Sequence, residues 1–447
     1  MTSLALPPSR RVALSSVIAG AAAEAVGGGG GGARRSYCSA LVRAASDMFL
    51  PVGFPSTVGE TYLRFQVLDS IQGLSSYLRG ILATQALFTG MGVGDDASTA
   101  LAATLQWVTR DGASMLGSLL FAWLGATSFD RNVRQWRLFA DLINDFGLTV
   151  EMLAPMAKAL SPALFVPTMC VASVAKALCG VAAGATRATI SLHFARADNL
   201  ADLCAKEGTQ ETAVTLIGLL CGMAFAKAVN SQPLAIWIAF ALLTLLHVVA
   251  NIGAVRCLHL GTINALRWEI LAAAWARGGG AAGGAAAGDG VAAALPTPAA
   301  VAAEEPLLLP LRELSCGRLG ACGGRRRCEL GCSPAALATL NAVAVAEAVA
   351  AAEQCGLRYA IVASETRVAV LLHDDASAID VFHSQYACAL RGSMPRASND
   401  DRATCARVDA DAARFLSALR ERGWDTARCL LRTAPWRQSW EVKVKRG

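Results

Sequence analysis

The residues best suited to chemistry sit inside apolar surroundings. Asp141 and Asp145 are four apart in an expected helix from Trp136 to Leu153, with Asn144 beside them and Glu151 six residues beyond Asp145. Residues three and four apart share a helix face, so these groups converge on one side. Arg79 and Arg110 are the bases that neighbouring apolar stretches offer them. Such a set suits a phosphate-bearing or amine ligand, or a proton relay. It suits structural ion pairs as well, and the sequence leaves both readings open. There is no phosphate-cradling glycine loop, no G-x-S-x-G elbow, no H-E-x-x-H and no convincing cysteine–histidine pair. No catalytic residue, metal or cofactor is therefore assigned, and a non-enzymatic role is expected.

The elements that must position these residues come from a chain that is 54% hydrophobic with mean hydropathy +0.43. Periodicity and breakers predict six helices, at about Tyr62–Met91, Ala97–Leu124, Trp136–Leu153, Pro167–Ala185, Glu211–Val229 and Leu234–Val255. The last has no formal charge when His247 is neutral, and at about 1.5 Å per residue its length matches a hydrocarbon core of roughly 30 Å. The first three carry Asp69, Arg79, Arg110, Asp111, Asp141, Asp145 and Glu151, which would also suit amphipathic helices of a soluble bundle. Loop charge separates the two readings. Arg131, Arg134 and Arg137 precede the third helix, Arg187, Arg196 and Lys206 precede the fifth, and Arg256 and Arg267 follow the sixth, while the intervening loops are poor in bases. That alternation predicts six spans with both termini on the cytoplasmic or stromal side. Gly180-x-x-x-Gly184 and Gly218-x-x-x-Gly222 are candidate close-packing pairs.

Between the fourth and fifth helices lies a polar interval, Thr186 to Thr212. Arg187, Arg196, Asp198, Asp202 and Lys206 make it a candidate coupling loop, with Asp202 and Lys206 paired on a short helix, Gly208 ending it and Thr209 capping the next. Residues 1–46 are basic, contain serines and hold a single acid, which fits either an organellar transit peptide or a disordered Ala/Gly-rich tail. Residues 47–277 form the helical membrane domain, and 278–332 a low-complexity linker. Cys316, Cys322, Cys328 and Cys332 in that linker lack paired zinc-ligand spacing. Residues 333–447 predict a soluble α+β domain: a helix opened by Ser333-Pro334 and ended by Cys355-Gly356, strands at Leu357–Ala363 and Arg367–Leu372, and helices at about Ser377–Leu390 and Asp409–Arg422. His373 and His383 have no partner at a defensible spacing. The net charge of +6 is scattered, without the basic face of a nucleic-acid binder.

Three blocks in order, FLPVGFPSTVGETYLRFQVLDSIQGL, QWRLFADLINDFG and ADNLADLCAKEGTQETAVTLIGLLCG, resemble the root UVB sensitive family. The resemblance covers about Phe49 to Leu271 and resumes in the C-terminal domain at the strand pair, the following helix and Gly423-Trp424. It implies a membrane-associated, often plastid-linked protein of pyridoxal phosphate homeostasis and UV-B tolerance that assembles with itself or with relatives. It carries no catalytic residues over. The basic loop FDRNVRQWR between the second and third helices also resembles one six-helix half of a major-facilitator transporter, though the usual leading glycines are missing. The fold expected is thus mainly α, a polytopic helical membrane domain plus a small soluble α+β domain. A transporter-like protein binding a pyridoxal-type small molecule and a membrane-anchored scaffold recruiting partners through its C-terminal domain are the two functional expectations.

Overall fold

Six long helices occupy most of the chain from 62 to 256 in the computed structural model, which describes residues 42–92, 100–125, 128–229, 232–278, 294–308, 327–363, 367–393, 402–431, 433 and 435–440. They are α1 (Tyr62–Met91), α2 (Ala100–Gly125), α3 (Val133–Leu160), α4 (Phe165–Phe194), α5 (Leu200–Val229) and α6 (Pro233–Arg256). Gly92, at φ 79°, ends α1 as its N–H turns back to the Phe88 and Thr89 carbonyls. Three of the six, α4, α5 and α6, are long and apolar enough to cross a membrane. A fourth, α2, carries an exposed apolar face that includes Leu105, Val108, Leu116, Leu119 and Trp123.

Several helices outrun their expected bounds. Pro155 does not stop α3, which continues to Leu160; proline removes one hydrogen bond, and Ala154, fully buried beside it, keeps the segment packed. The expected breaks at Gly208 and Thr209 are absent, since α5 is continuous from Leu200. Thr209 instead donates its hydroxyl to the Ala205 carbonyl, inside the helix. The polar interval therefore shrinks to a connector at 195–199.

Packing places α4 between α2 and α3, and α1 against α3, α5 and α6. Close approach depends on glycine at several contacts, of which two illustrate the point. A Cβ on Gly147 of α3 would lie 2.9 Å from the Ala172 carbonyl of α4, and one on Gly218 of α5 would lie 2.7 Å from the Tyr77 ring of α1. Gly180 and Gly184, expected to mediate such a contact, face open space instead.

The C-terminal part is a mixed sheet in the order β2-β4-β3 with helices against it. Strand β2 (Arg327–Leu330) runs parallel to β4 (Arg367–Leu372), which pairs antiparallel with β3 (Tyr359–Ala363). A second, parallel pair joins β1 (Thr262–Ile263) to β5 (Asp425–Cys429). The helices are α7 (Ala265–Arg277), α8 (Pro298–Glu304), α9 (Pro334–Leu337), α10 (Ala342–Cys355), α11 (Ala378–Ser393) and α12 (Arg402–Glu421). The single helix expected from Ser333 is split, because the Asn341 side chain accepts from the Val343 N–H and starts α10 afresh. Gly356, at φ 68°, ends it as expected. His383 does have a partner: its Nδ1 lies 2.7 Å from Asp409.

Two expected boundaries move. Trp268, Leu271 and Trp275 of α7 are buried in one core with Phe382, Phe415, Leu419 and Trp424, so the C-terminal unit begins near β1 rather than at 333. Residues 294–308, placed in the linker by composition, are packed, with Leu295 and Val301 in that same core. These two apolar anchors, with hydrogen bonds from Arg422 to the Leu295 carbonyl and from Trp424 to the Pro296 carbonyl, hold an alanine-rich segment whose composition alone suggests no structure. Residues 42–49, partly assigned to the N-terminal tail, form a short helix. Cys316 and Cys322, with residues 1–41, lie outside the described residues.

Candidate functional site

The polar side chains of α1 recur at Asp69, Gln72, Ser76 and Arg79, the period of one helix face. That stripe meets the polar face of α3 in register. Arg137 donates to Asp69 at 2.9 Å, Asn144 to Ser76 at 3.1 Å, and Lys158 to the Gly90 carbonyl at 2.7 Å. Each of these partners is 68 residues apart, so α1 and α3 run parallel and side by side. Helices two apart in an up-and-down bundle share a direction, as alternating spans require.

At the centre of this seam, fully buried Arg79 pairs with Asp145 at 2.6 Å. His247 of α6 places Nδ1 2.9 Å from one Asp145 oxygen and 3.1 Å from the other, and Arg79 also donates to Thr244 at 3.4 Å. Three helices thus meet on one carboxylate. Asp141, one turn earlier, lies 3.5 Å from Arg137. Of the sequence candidates, Asp141, Asn144, Asp145 and Arg79 converge. Glu151 and Arg110 do not join them: Glu151 pairs with Lys176 of α4 at 2.6 Å, and Arg110 donates to Ser173 at 2.6 Å while lying 4.3 Å over the Trp107 ring.

Beyond Asp141 the seam opens into a cavity of about 560 Å³ between α1, α3, α4 and α5. Gly180 and Gly184 lie in its wall, and their missing side chains leave part of its space. Asp69, Arg137 and Asp141 stand at one end, with Arg187, Glu207 and Glu211 along the α4–α5 side. Arg187 pairs with Glu211 at 3.0 Å, both well exposed. Glu207 is buried and accepts from Ser191 at 2.9 Å and Gln66 at 3.3 Å. No histidine or cysteine lines the cavity, and no metal-holding cluster occurs among the described residues. The lining groups offer an occupant charge and hydrogen bonds. Sequence reasoning missed Asp69, Arg137, Glu207 and His247 as site residues, though the α1 stripe and the spacing of Thr244, His247 and Asn251 carried the signal.

The coupling stretch divides. Arg187 lies at the cavity, while the expected Asp202–Lys206 pair is replaced by two contacts to the N-terminal segment. Asp202 accepts from the Val52 N–H at 2.7 Å, and Lys206 donates to the Asp47 carbonyl. Arg196 donates its backbone N–H to Thr57 at 3.2 Å, and Asp198 takes a positive φ of 51° in the short connector. Gln210 donates to Phe49 at 2.5 Å. Residues 47–52 thus clasp the start of α5.

A second buried charge cluster joins the two parts of the chain. Glu305, at the end of α8, accepts from Arg134 of α3 at 2.9 Å and from Arg267 of α7 at 3.1 Å, with Gln135 at 3.1 Å. Burial works against the charge on Glu305, but Arg267 and then Arg134 outweigh it and hold the carboxyl below its ordinary value.

These features define a mainly helical protein with membrane-length helices around a polar cavity, fixed to a small α/β unit. A family model described as the vitamin B6 photo-protection and homoeostasis domain matches residues 35–279, which include every cavity residue. The chain is 35% identical over 399 residues, 89% of its own length and 86% of the relative's, to Protein root UVB sensitive 3 of Arabidopsis thaliana. It is 42% identical over 231 residues, 51% of this chain and 43% of the other, to RUS family member 1 of Dictyostelium discoideum. Protein root UVB sensitive 2, chloroplastic, of Arabidopsis thaliana is 26% identical over 87% of this chain and 84% of its own. The chain belongs to the root UVB sensitive family. No solved structure matches it.

Proposed function

We propose that this chain is a non-enzymatic membrane protein in which α1 to α6 all span the bilayer and enclose a binding site for a small molecule of vitamin B6 type, through which it contributes to vitamin B6 homeostasis and UV-B tolerance. The observation that carries this reading is the parallel register of α1 and α3. It gathers the charges of the two least apolar helices onto an interior seam and around a cavity of about 560 Å³, a size typical of small-molecule sites. Charges so placed are compatible with lipid around the bundle. The exposed apolar face of α2 supports the same arrangement. A plastid membrane is the proposed location, in line with the relative named chloroplastic.

Ligand-dependent thermal unfolding of the full chain in detergent tests it. Pyridoxal, pyridoxine, pyridoxamine or pyridoxal phosphate, at about 100 times its Kd, stabilises the folded state by about 2.7 kcal/mol. If none raises the unfolding midpoint, the small-molecule site is wrong. A second reading is favoured by the Glu305 cluster: a membrane-anchored scaffold, assembling with itself or with relatives, whose α/β unit transmits partner binding to α3. Flux into proteoliposomes separates transport from binding, and partner capture without any ligand response favours the scaffold.

A further inference from the structure

Resting on the reading of the cavity as a small-molecule site, the charge of its occupant follows from how the lining groups are already paired. Four carboxylates, Asp69, Asp141, Glu207 and Glu211, face two guanidiniums, Arg137 and Arg187. Both guanidiniums are engaged. Arg137 is held by Asp69 at 2.9 Å and Asp141 at 3.5 Å, and Arg187 by Glu211 at 3.0 Å. A phosphate entering here would have to share a guanidinium with a carboxylate already bound to it, against the repulsion of four lining carboxylates.

Glu207 is the opposite case. It is 9% exposed, its oxygens accept only from the neutral Ser191 and Gln66, and no cationic side chain pairs with it among the described residues. A buried carboxylate held by neutral donors alone is undercompensated. Two further acceptors border the cavity: Gln72, 7% exposed, and the Asp141 carboxylate, whose Oδ2 is engaged by Arg137 only at the long distance of 3.5 Å. Phe65 and Tyr77 add aromatic wall, which favours a cation.

We propose that the cavity binds the protonated amine of a small aromatic molecule, with Glu207 as counter-ion and Asp141 and Gln72 as further acceptors, and that it discriminates against phosphate esters. Among vitamin B6 compounds this selects pyridoxamine over pyridoxal phosphate.

The test is calorimetric binding and thermal unfolding of the full chain in detergent with four probes: pyridoxamine, pyridoxal phosphate, benzylamine and inorganic phosphate. Wild type is compared with Glu207→Gln, which keeps the size of the side chain, and with Asp141→Asn should the first variant fail to fold. The expected result is binding of the two amines only, weakened about tenfold or more in the folded variant, as for loss of a charge-assisted hydrogen bond. Tighter binding of pyridoxal phosphate or phosphate overturns the inference and leaves the vitamin B6 reading standing. Benzylamine binding without a response to either vitamin B6 compound keeps the inference and removes that reading. Silence from all four removes the inference, and the vitamin B6 reading falls with it when pyridoxal and pyridoxine are silent too; amine binding unchanged in the variants also overturns the proposal.

Discussion

Asp145 is the residue on which the helical interior turns, because carboxylate, guanidinium and imidazole from three helices meet there with almost no solvent. Removing one member of a buried pair strands the other charge, and that costs about 3–5 kcal/mol. Asp145→Asn is therefore expected to lower the unfolding midpoint sharply in detergent. Asp141→Asn, whose residue borders the cavity and whose partner Arg137 keeps Asp69, is expected to have a much smaller effect; equal destabilisation would show that no functional set separates from the structural one. Glu305 supplies a pH-dependent counterpart. Its carboxyl lies below the ordinary value of 4.5 in the folded chain, so its contribution is complete above 4.5 and is lost as pH falls through the lower folded value. Glu305→Gln should cost about 3–5 kcal/mol near neutral pH. Unfolding midpoints of wild type and variant, followed from pH 7 downward, should converge below the ordinary carboxyl range. Parallel curves would mean that the two arginines do not hold the charge. At this scale the sequence showed Asp141 and Asp145 through their four-residue spacing. It hid Glu305, one of two adjacent acids in an alanine-rich segment, whose partners lie 171 and 38 residues away.

Helices were legible where local chemistry decided them. Tyr62–Met91 was anticipated residue for residue, since its apolar run ends at a glycine able to take the left-handed cap. The start of α5 was not, because Gly208 and Thr209 carry the signals of a stop and a cap. Glu207 and Gln210, bonded to Ser191 and Phe49 across the fold, override those signals. Strands β2 and β5 were missed for a related reason: each is short and finds its partner far along the chain, β5 with β1 and β2 with β4. The same long-range logic fixes the C-terminal unit, whose core includes Trp268 at 1% exposure, edge-on to Phe382 at 4.9 Å. Trp268→Ala, lying far from the cavity in the helix α7, should destabilise this unit by about 3–5 kcal/mol. Limited proteolysis is the check: faster cleavage within 327–440 while the helices stay protected supports a shared core, and an unchanged pattern speaks against it.

Taken whole, the molecule is a helical bundle with an apolar surface on several helices and a buried charged seam between α1, α3 and α6, coupled through Glu305 and α7 to a polar α/β unit. Loop charge alternation predicted the direction of each helix, and the parallel pairing of α1 with α3 agrees with it. Charge content alone could not show which way the polar faces of α1 and α3 point, since that depends on their mutual register. On the proposed reading, this bundle spans the membrane with the cavity inside it. Single cysteines on a background without the native thiols, labelled in sealed vesicles with a membrane-impermeant reagent, test it most directly. Asp198→Cys in the α4–α5 connector should react from one side only and Ala163→Cys before α4 from the opposite side. Leu119→Cys and Leu245→Cys, exposed on the apolar surface, should react only after the membrane is dissolved. Labelling of all four from the same side of intact vesicles would contradict that arrangement.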